Sequence, residues 1–251
     1  MPRSFVFTLL SLAAHAATGL AHAGEVQVAV AANFAVPMAR IGEAFTAATG
    51  HVAKVSTGST GKFYTQIVSG APFEVLLAAD DETPKKLIAA SHALAGSNFT
   101  YAIGKLVLWS ATPGLVDDQG AVLASGKVKH VAVANPKLAP YGAAALELLK
   151  ARGLSDTVAP KLVTAESIAQ AYQFVLTGNA EVGFVAMSQV AVPGKPAVGS
   201  FWVVPQHQYG EIRQDAVLLT TGDKNPAARA LLDFLKSDAA KQTIRDFGYG
   251  L

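Results

Sequence analysis

Residues 26–61, VQVAVAANFAVPMARIGEAFTAATGHVAKVSTGSTG, decide the fold, because a β-branched run, a helical pattern and a second β-branched run follow one another there. The same alternation continues along the chain, with strands predicted at 26–31, 51–56, 75–78, 128–134, 161–163 and 182–186 and helices at 38–48, 63–69, 85–90, 143–152 and 168–176. Some strands, such as VLLA at 75–78, are apolar on both faces, which is typical of parallel sheets covered by helices. The sequence therefore predicts an α/β fold in which the same kind of unit is built twice.

Two longer β-rich runs, residues 99–110 and 213–220, lie where the chain would pass between the two units. Two further helical patterns, 225–236 and 238–247, end the chain and would pack back on the first unit. We therefore predict two lobes, each a mostly parallel sheet flanked by helices, joined by two crossing strands. The predicted bounds are 24–104 plus 214–251 for lobe 1 and 105–213 for lobe 2.

The amino terminus has the features of an export signal. Arg3 supplies a positive charge, residues 5–17 are mostly apolar, and Ala21-His22-Ala23 is a small-residue cleavage site. The apolar run is shorter than the roughly 20 residues that span a bilayer. We predict that residues 1–23 are a signal peptide that is removed, which leaves an exported, soluble, periplasmic protein.

Composition argues against several classes of partner and chemistry. The net charge is only +2 and no run of Lys or Arg stands out, so we expect neither nucleic acid nor an anionic membrane surface as a partner. The sequence has no cysteine, which excludes disulfides, a thiol nucleophile and a cysteine-linked lipid. G-x-S-x-G and H-E-x-x-H motifs are also absent from the sequence, so we predict a protein that is not an enzyme and needs no cofactor.

Cap-type and hydrogen-bonding residues stand where predicted strands lead into predicted helices. The four junctions are Ala32-Asn33, Gly58-Ser59-Thr60-Gly61, Pro140-Tyr141-Gly142 and Glu166-Ser167-Ile168. In an open α/β sheet such turns lie at the carboxyl ends of the strands, where ligands bind, and each helix start offers free backbone N–H groups. Ordinary helix capping explains any one junction, but together they predict a cage of neutral donors for an anion.

Charged residues near these junctions have simpler explanations. The GSTGK segment at 58–62 is not a phosphate-binding P-loop, because Ser56 and Phe63 stand where that motif needs Gly and Ser or Thr. Lys62 is interpreted as a solvated residue of a helix face, with long-range attraction of an anion as its only predicted role. The carboxylates of residues 80–82 precede a helical pattern, where negative charge is favourable.

The sequence resembles the periplasmic molybdate-binding proteins of ABC transporters, which are type 2 periplasmic binding proteins, over essentially the whole chain after residue 23. The segments that carry the resemblance are VAANF at 30–34, GSTGK at 58–62, GAPFEVLLAAD at 70–80, NP at 135–136, PYG at 140–142, GFV at 183–185 and QDAVLL at 214–219. The resemblance implies the two-lobed type 2 fold and an anion ligand, molybdate or tungstate. It also implies a membrane permease with its cytoplasmic ATPase as the partner.

The resemblance further implies which residues hold the anion. The predicted oxyanion ligands are Asn33, Thr60, Tyr141 and Ile168, with Ala32, Gly61 and Ser167 as further candidates; they meet metal only as ligands of a metal oxyanion. Asn33 and Thr60 would donate through their side chains and Ile168 through its backbone N–H. Many members carry a tyrosine at the position of Ala186, whose hydroxyl meets the anion. Here Tyr141 is predicted to replace it.

A cage that offers only donors favours a fully ionised oxyanion, because the proton of hydrogen phosphate finds no acceptor there. Sulfate is smaller and would leave donors unpaired, at about 1 to 3 kcal/mol for each buried group. Size does not separate molybdate from tungstate. We expect a monomer that binds these ions, and three alternatives stay open: a binder of sulfate, phosphate or an organic anion, a periplasmic α/β hydrolase, and a sensor domain with a signalling partner.

Overall fold

A computed structural model describes residues 23–251, so the predicted signal peptide, apart from Ala23, lies outside the described residues. Within that range the strands are β1 (Glu25–Ala31), β2 (Val52–Gly58), β3 (Val75–Leu77), β4 (Phe99–Gly104), β5 (Leu106–Ser110), β6 (Val131–Ala134), β7 (Leu162–Ala165), β8 (Val182–Ala186), β9 (Ser200–Val203) and β10 (Ile212–Leu218). They form two five-stranded sheets. Sheet 1 has the order β2-β1-β3-β10-β4 and sheet 2 the order β7-β6-β8-β5-β9.

Helices connect the strands and cover the sheets. They are α1 (Ala35–Thr49), α2 (Thr60–Val68), α3 (Glu82–Ala89), α4 (Pro140–Ala151), α5 (Ser155–Val158), α6 (Ile168–Leu176), α7 (Met187–Val190), α8 (Pro226–Leu235) and α9 (Asp238–Asp246). In residues 23–251 no helix has both the length and the apolar character needed to cross a bilayer.

The two sheets repeat one arrangement of strands. In sheet 1, β1 pairs in parallel with β2 and β3, and β10 runs antiparallel to β3 and β4. In sheet 2, β6 pairs in parallel with β7 and β8, and β5 runs antiparallel to β8 and β9. The prediction of an α/β fold with two mostly parallel sheets flanked by helices is confirmed.

The chain passes between the sheets twice. The β-rich run at 99–110 divides at Lys105, since β4 belongs to sheet 1 and β5 to sheet 2. The chain returns through residues 204–211, where the backbone N–H of Val204 donates to Leu106 O at 3.0 Å. Strand β10 itself pairs only within sheet 1, so the second passage precedes the predicted run at 213–220.

The core lies on both faces of each sheet because alternate side chains point to opposite sides of a strand. In β1, Val28 packs with α1, α8 and α9, whereas Ala29 packs on the other face with α2 and α3. One apolar cluster continues from sheet 1 to sheet 2, since Ala32 packs in the same cluster as Tyr141 and Ile168. The elements that carry the predicted junctions are therefore packed against one another.

Four helices begin three residues before their predicted starts. The structure begins α1, α2, α3 and α4 at residues 35, 60, 82 and 140, where the apolar pattern predicted 38, 63, 85 and 143. First turns are rich in Pro, Thr, Gly and Glu, which suit helix starts but do not show apolar periodicity. Strand β6, in turn, is shorter than predicted, and before it the backbone N–H of His130 bonds the Glu181 carboxylate at 2.7 Å.

Candidate functional site

Residues from all four predicted junctions line one small cavity between the sheets, which we call the cage cavity. Its lining consists of Ala31, Ala32, Asn33, Gly58, Ser59, Thr60, Ala79, Ala139, Pro140, Tyr141 and Ile168. The structure therefore brings together the four predicted ligands and Ala32. Gly61 and Ser167 lie beside the cage cavity and line neighbouring surfaces instead.

The parallel strands explain why distant residues meet. Strands β1 and β2 end side by side at Ala31 and Gly58, and β6 and β7 end side by side at Ala134 and Ala165. Each of these strands leads into a helix start, and the first N–H groups of a helix have no partner within it. Three such starts, those of α2, α4 and α6, therefore place backbone donors and positive helix-dipole ends at the cage cavity.

The described residues that line the cage cavity carry no charge. Its volume is about 10 Å³, close to the space that one water molecule needs. Any group held there must contact the lining directly, and an anion would be held by neutral donors alone.

Thr60 is the clearest side-chain donor in the lining. Only 1% of its surface is exposed, and its Oγ1 accepts a hydrogen bond from the backbone N–H of Ala79 at 2.9 Å. Because the oxygen already accepts from Ala79, the position of the hydroxyl is fixed while its own hydrogen stays available to a ligand.

Ser59 is a lining residue that the sequence analysis did not single out. It occupies the N-cap position of α2, yet its side chain makes no cap hydrogen bond. Its Oγ is buried and has no hydrogen-bond partner among residues 23–251. The Ser-Thr pair at 59–60 is the available signal, but the family resemblance assigns the hydroxyl role to Thr60.

The side-chain amide of Asn33 is hydrogen-bonded within the protein. Its Nδ2 donates to Gln214 Oε1 and to Tyr249 Oη, both at 2.9 Å, so both amide hydrogens are already used. Its backbone carbonyl oxygen accepts from Ser188 Oγ at 2.8 Å. The predicted donation of the Asn33 amide to an anion is therefore not available in this conformation, and its backbone N–H is the remaining donor.

Tyr141 is buried at the start of α4. Its hydroxyl accepts a hydrogen bond from Gln214 Nε2 at 3.1 Å. Burial raises the pKa of Tyr141 well above its usual value of 10.0, so the hydroxyl stays protonated and can donate. Ala186 belongs to the same apolar cluster as Tyr141 but does not line the cage cavity.

Ser167 and Ile168 have different roles at the start of α6: the first caps the helix and the second offers a backbone donor. The Ser167 hydroxyl accepts from the backbone N–H of Gln170 at 3.3 Å and thereby caps the helix. Ile168 is the first helical residue, so its own N–H has no partner within the helix and lies at the cage cavity.

A larger space, which we call the charged groove, adjoins the cage cavity. Its volume is about 400 Å³, and its charged lining residues are Asp80, Asp81, Glu82, Lys86, Lys137, Glu147, Glu211 and Arg213. Asp80 accepts from the backbone N–H of Thr83 at 2.7 Å, at the start of α3, as the sequence predicted for these carboxylates. Burial raises the pKa of Asp80 above its usual value.

Several contacts join the two walls beside the cage cavity. The backbone N–H of Gly61 donates to Leu138 O at 2.9 Å, and a Cβ at Gly61 would lie 2.9 Å from Leu138 Cα. Glycine is therefore required for this close approach. The Lys62 ammonium pairs with the Glu166 carboxylate across the opening, so Lys62 is not simply solvated as expected.

A family model and individual relatives place the chain in the same family of proteins. The model of the bacterial extracellular solute-binding protein family matches residues 26–250. The molybdate-binding protein ModA of Azotobacter vinelandii is 60% identical over 92% of this chain and 92% of its own length. That of Rhodobacter capsulatus is 57% identical over 91% of this chain and 89% of its own.

A solved structure gives the same result. The periplasmic molybdate-binding protein of Azotobacter vinelandii superposes with a TM-score of 0.88 at 41% identity, covering 90% of this chain and 99% of that one. The resemblance inferred from the sequence is thus confirmed, and the family consists of solute-binding proteins rather than enzymes. The chain belongs to the bacterial extracellular solute-binding protein family, in the group of the molybdate-binding proteins.

Proposed function

We propose that this protein captures molybdate, and also tungstate, in the cage cavity and delivers the ion to the permease of an ABC importer. The observation that carries the proposal is the meeting of four separate helix junctions around one cavity whose lining has no charged side chain. Relatives at 60% and 57% identity are molybdate-binding proteins, which supports the choice of ion. The proposed place of action is the periplasm, and the proposed form is a monomer.

The proposed donors come from both walls. The hydroxyls of Ser59 and Thr60 and the backbone N–H of Asn33 would act from the wall of sheet 1. The hydroxyl and backbone N–H of Tyr141 and the backbone N–H of Ile168 would act from the wall of sheet 2. All six can donate, so a fully ionised dianion satisfies them together, whereas a proton on the ligand would have to turn one of the hydroxyls into an acceptor and lose its donation to the anion.

We further propose that residues 24–104 with 214–251 and residues 105–213 are lobes that separate to admit the ion. The cage cavity is too small for a tetrahedral oxyanion to enter without some separation of its walls. Polar contacts between the proposed lobes include the Gly61–Leu138 hydrogen bond, the exposed Lys62–Glu166 pair, and the buried Ser188–Asn33 and Gln214–Tyr141 hydrogen bonds. The exposed Lys62–Glu166 pair contributes only about 0 to 1 kcal/mol, so it adds little resistance to such a separation.

The deciding experiment is calorimetry of the mature protein with molybdate, tungstate, sulfate and phosphate. We expect tight binding of the first two and at least about 100-fold weaker binding of the others, since each unpaired donor costs about 1 to 3 kcal/mol. Tight sulfate binding without molybdate binding would contradict the proposed ligand and identify sulfate instead. A sensor role would be favoured if the isolated permease did not respond to the loaded protein.

A hydrolase remains the alternative from another class. The cage cavity contains hydroxyls, but the described residues that line it include no histidine or carboxylate that could serve as a base. We therefore propose a binding protein that needs no cofactor. Turnover of ester substrates that is lost in Thr60→Ala or Ser59→Ala, with no anion affinity in the wild type, would contradict this.

A further inference from the structure

Gln214 connects the two walls beneath the cage cavity. Its side chain lies on β10 and is fully buried. Its Oε1 accepts from Asn33 Nδ2 at 2.9 Å and lies 3.1 Å from Tyr101 Oη, and its Nε2 donates to Tyr141 Oη at 3.1 Å. One carboxamide therefore links the junction after β1 with the junction before α4.

The direction of these hydrogen bonds determines what Tyr141 can do. The Gln214 oxygen accepts a hydrogen bond from Asn33. The NH₂ group of Gln214 therefore faces the Tyr141 hydroxyl. A hydroxyl has one hydrogen and accepts through its oxygen. Because the Tyr141 oxygen accepts from Gln214, its hydrogen is directed elsewhere, either to the Tyr249 oxygen, where a hydrogen bond from Tyr141 lowers the pKa of Tyr249, or to a bound ligand.

The contact between Gln214 and Tyr141 also depends on Gly104, at the end of β4. A Cβ on Gly104 would lie 2.2 Å from Tyr141 Oη and 2.7 Å from Gln214 Nε2. Both distances are shorter than any van der Waals contact allows, so the two polar groups occupy space that only glycine leaves open. Glycine at position 104, where the chain passes between the sheets, thus leaves room for the Gln214–Tyr141 hydrogen bond.

We propose that Gln214 is a positioning residue that directs the hydroxyl hydrogen of Tyr141 towards a bound oxyanion. The proposal rests on the proposed function and adds a determinant of selectivity. With its oxygen engaged by Gln214, the Tyr141 hydroxyl acts only as a donor. Without Gln214 the hydroxyl is free to rotate, and its oxygen becomes an acceptor for the proton of a ligand such as hydrogen arsenate, which carries the same charge as molybdate.

A double-mutant cycle separates this role from a general loss of structure. Calorimetry would give the Kd of molybdate for wild type, Gln214→Leu, Tyr141→Phe and the double variant. We expect Gln214→Leu to weaken binding about tenfold in the wild type and less than about twofold in Tyr141→Phe, because Gln214 acts through the Tyr141 hydroxyl. Gln208→Leu changes a glutamine away from the cage cavity and should leave the Kd unchanged.

The selectivity for a proton-free ligand is the second readout. In Gln214→Leu, hydrogen arsenate binding at pH 8 should weaken less than molybdate binding. The Kd for hydrogen arsenate divided by the Kd for molybdate should therefore fall at least about threefold. If Gln214→Leu does not show the wild-type circular dichroism, Gln214→Asn, which keeps the amide but withdraws it from Tyr141, takes its place with the same expectation.

The outcomes distinguish two failures. A wild type that binds no tetrahedral oxyanion would contradict the proposed function. A wild type that binds molybdate, together with equal effects of the Gln214 change in both backgrounds or an unchanged Kd ratio, would overturn the positioning role alone.

Discussion

The cage cavity and the charged groove lie side by side but have opposite properties. The charged groove is about 400 Å³ in volume and carries side chains of both signs, among them Lys86, Glu147 and Arg213. The cage cavity is about 10 Å³ in volume and has an uncharged lining. Water screens charges at an exposed surface, whereas donors in an enclosed space act at nearly full strength. The smaller space is thus better suited to select an anion, even though the larger one contains the cations.

The largest expected effect comes from putting a charge into the cage cavity. Thr60→Asp places a carboxylate next to the proposed dianion, and repulsion of about 4 kcal/mol or more would weaken molybdate binding at least about 1,000-fold. Calorimetry of a variant with wild-type circular dichroism measures this.

The matched control removes a charge from the groove instead. Glu147 is exposed and accepts from the backbone N–H of Gly210 at 2.8 Å, a contact that an amide oxygen can also make. Glu147→Gln should change the Kd by less than about twofold, because exposed charges are screened. If Glu147→Gln had the larger effect, the anion would bind in the charged groove.

A smaller effect is expected from the hydroxyl that the sequence analysis did not single out. Ser59→Ala should weaken molybdate binding about tenfold or more, since a hydrogen bond to a charged group contributes about 1.5 to 3 kcal/mol. The ligand-free protein should unfold at the same temperature or slightly higher, because no hydrogen bond of the structure is lost.

Ser167→Ala should have the opposite pair of effects to Ser59→Ala, with lower stability and unchanged molybdate binding. It removes the cap hydrogen bond to Gln170, so stability should fall by about 1 kcal/mol while the Kd stays within about twofold. Thermal unfolding and calorimetry on both serine variants test the pair. A Kd that changes equally in the two would mean that the Ser59 hydroxyl does not donate to the anion.

The fold could be predicted from the sequence because its signals are local. The β-branched runs and apolar periodicities predicted the parallel strands and the longer helices of both series, though not the short helices α5 and α7, and buried strands such as Val75–Leu77 indicated helices on both faces. The starts of α1 to α4 were misplaced by three residues because a first turn is defined by backbone donors and caps rather than by apolar spacing. Positions such as Thr60 and Pro140 therefore fell outside the predicted helices.

The site could be predicted as a set of positions but not as a set of hydrogen bonds. Parallel pairing brings strand ends together, so Thr60 and Ile168 were predicted to meet without coordinates. The direction of each donor depends on partners far along the chain. Asn33 gives its amide hydrogens to Gln214 and Tyr249, which are 181 and 216 residues away, and no local pattern reports such contacts.

The smallest expected effect is that of pH. Tyr141 would lose its donor and gain a negative charge on ionising, but burial raises its pKa well above 10.0, and burial raises the pKa of neighbouring Tyr249 to about 12. A raised tyrosine pKa means that binding is lost only as pH rises through that higher value. The molybdate Kd should therefore change less than about twofold between about pH 7 and pH 9.5 in calorimetric titrations at constant ionic strength. A tenfold weakening in that interval would show that a group that titrates there takes part in binding, and that the uncharged lining of the cage cavity does not hold the anion alone.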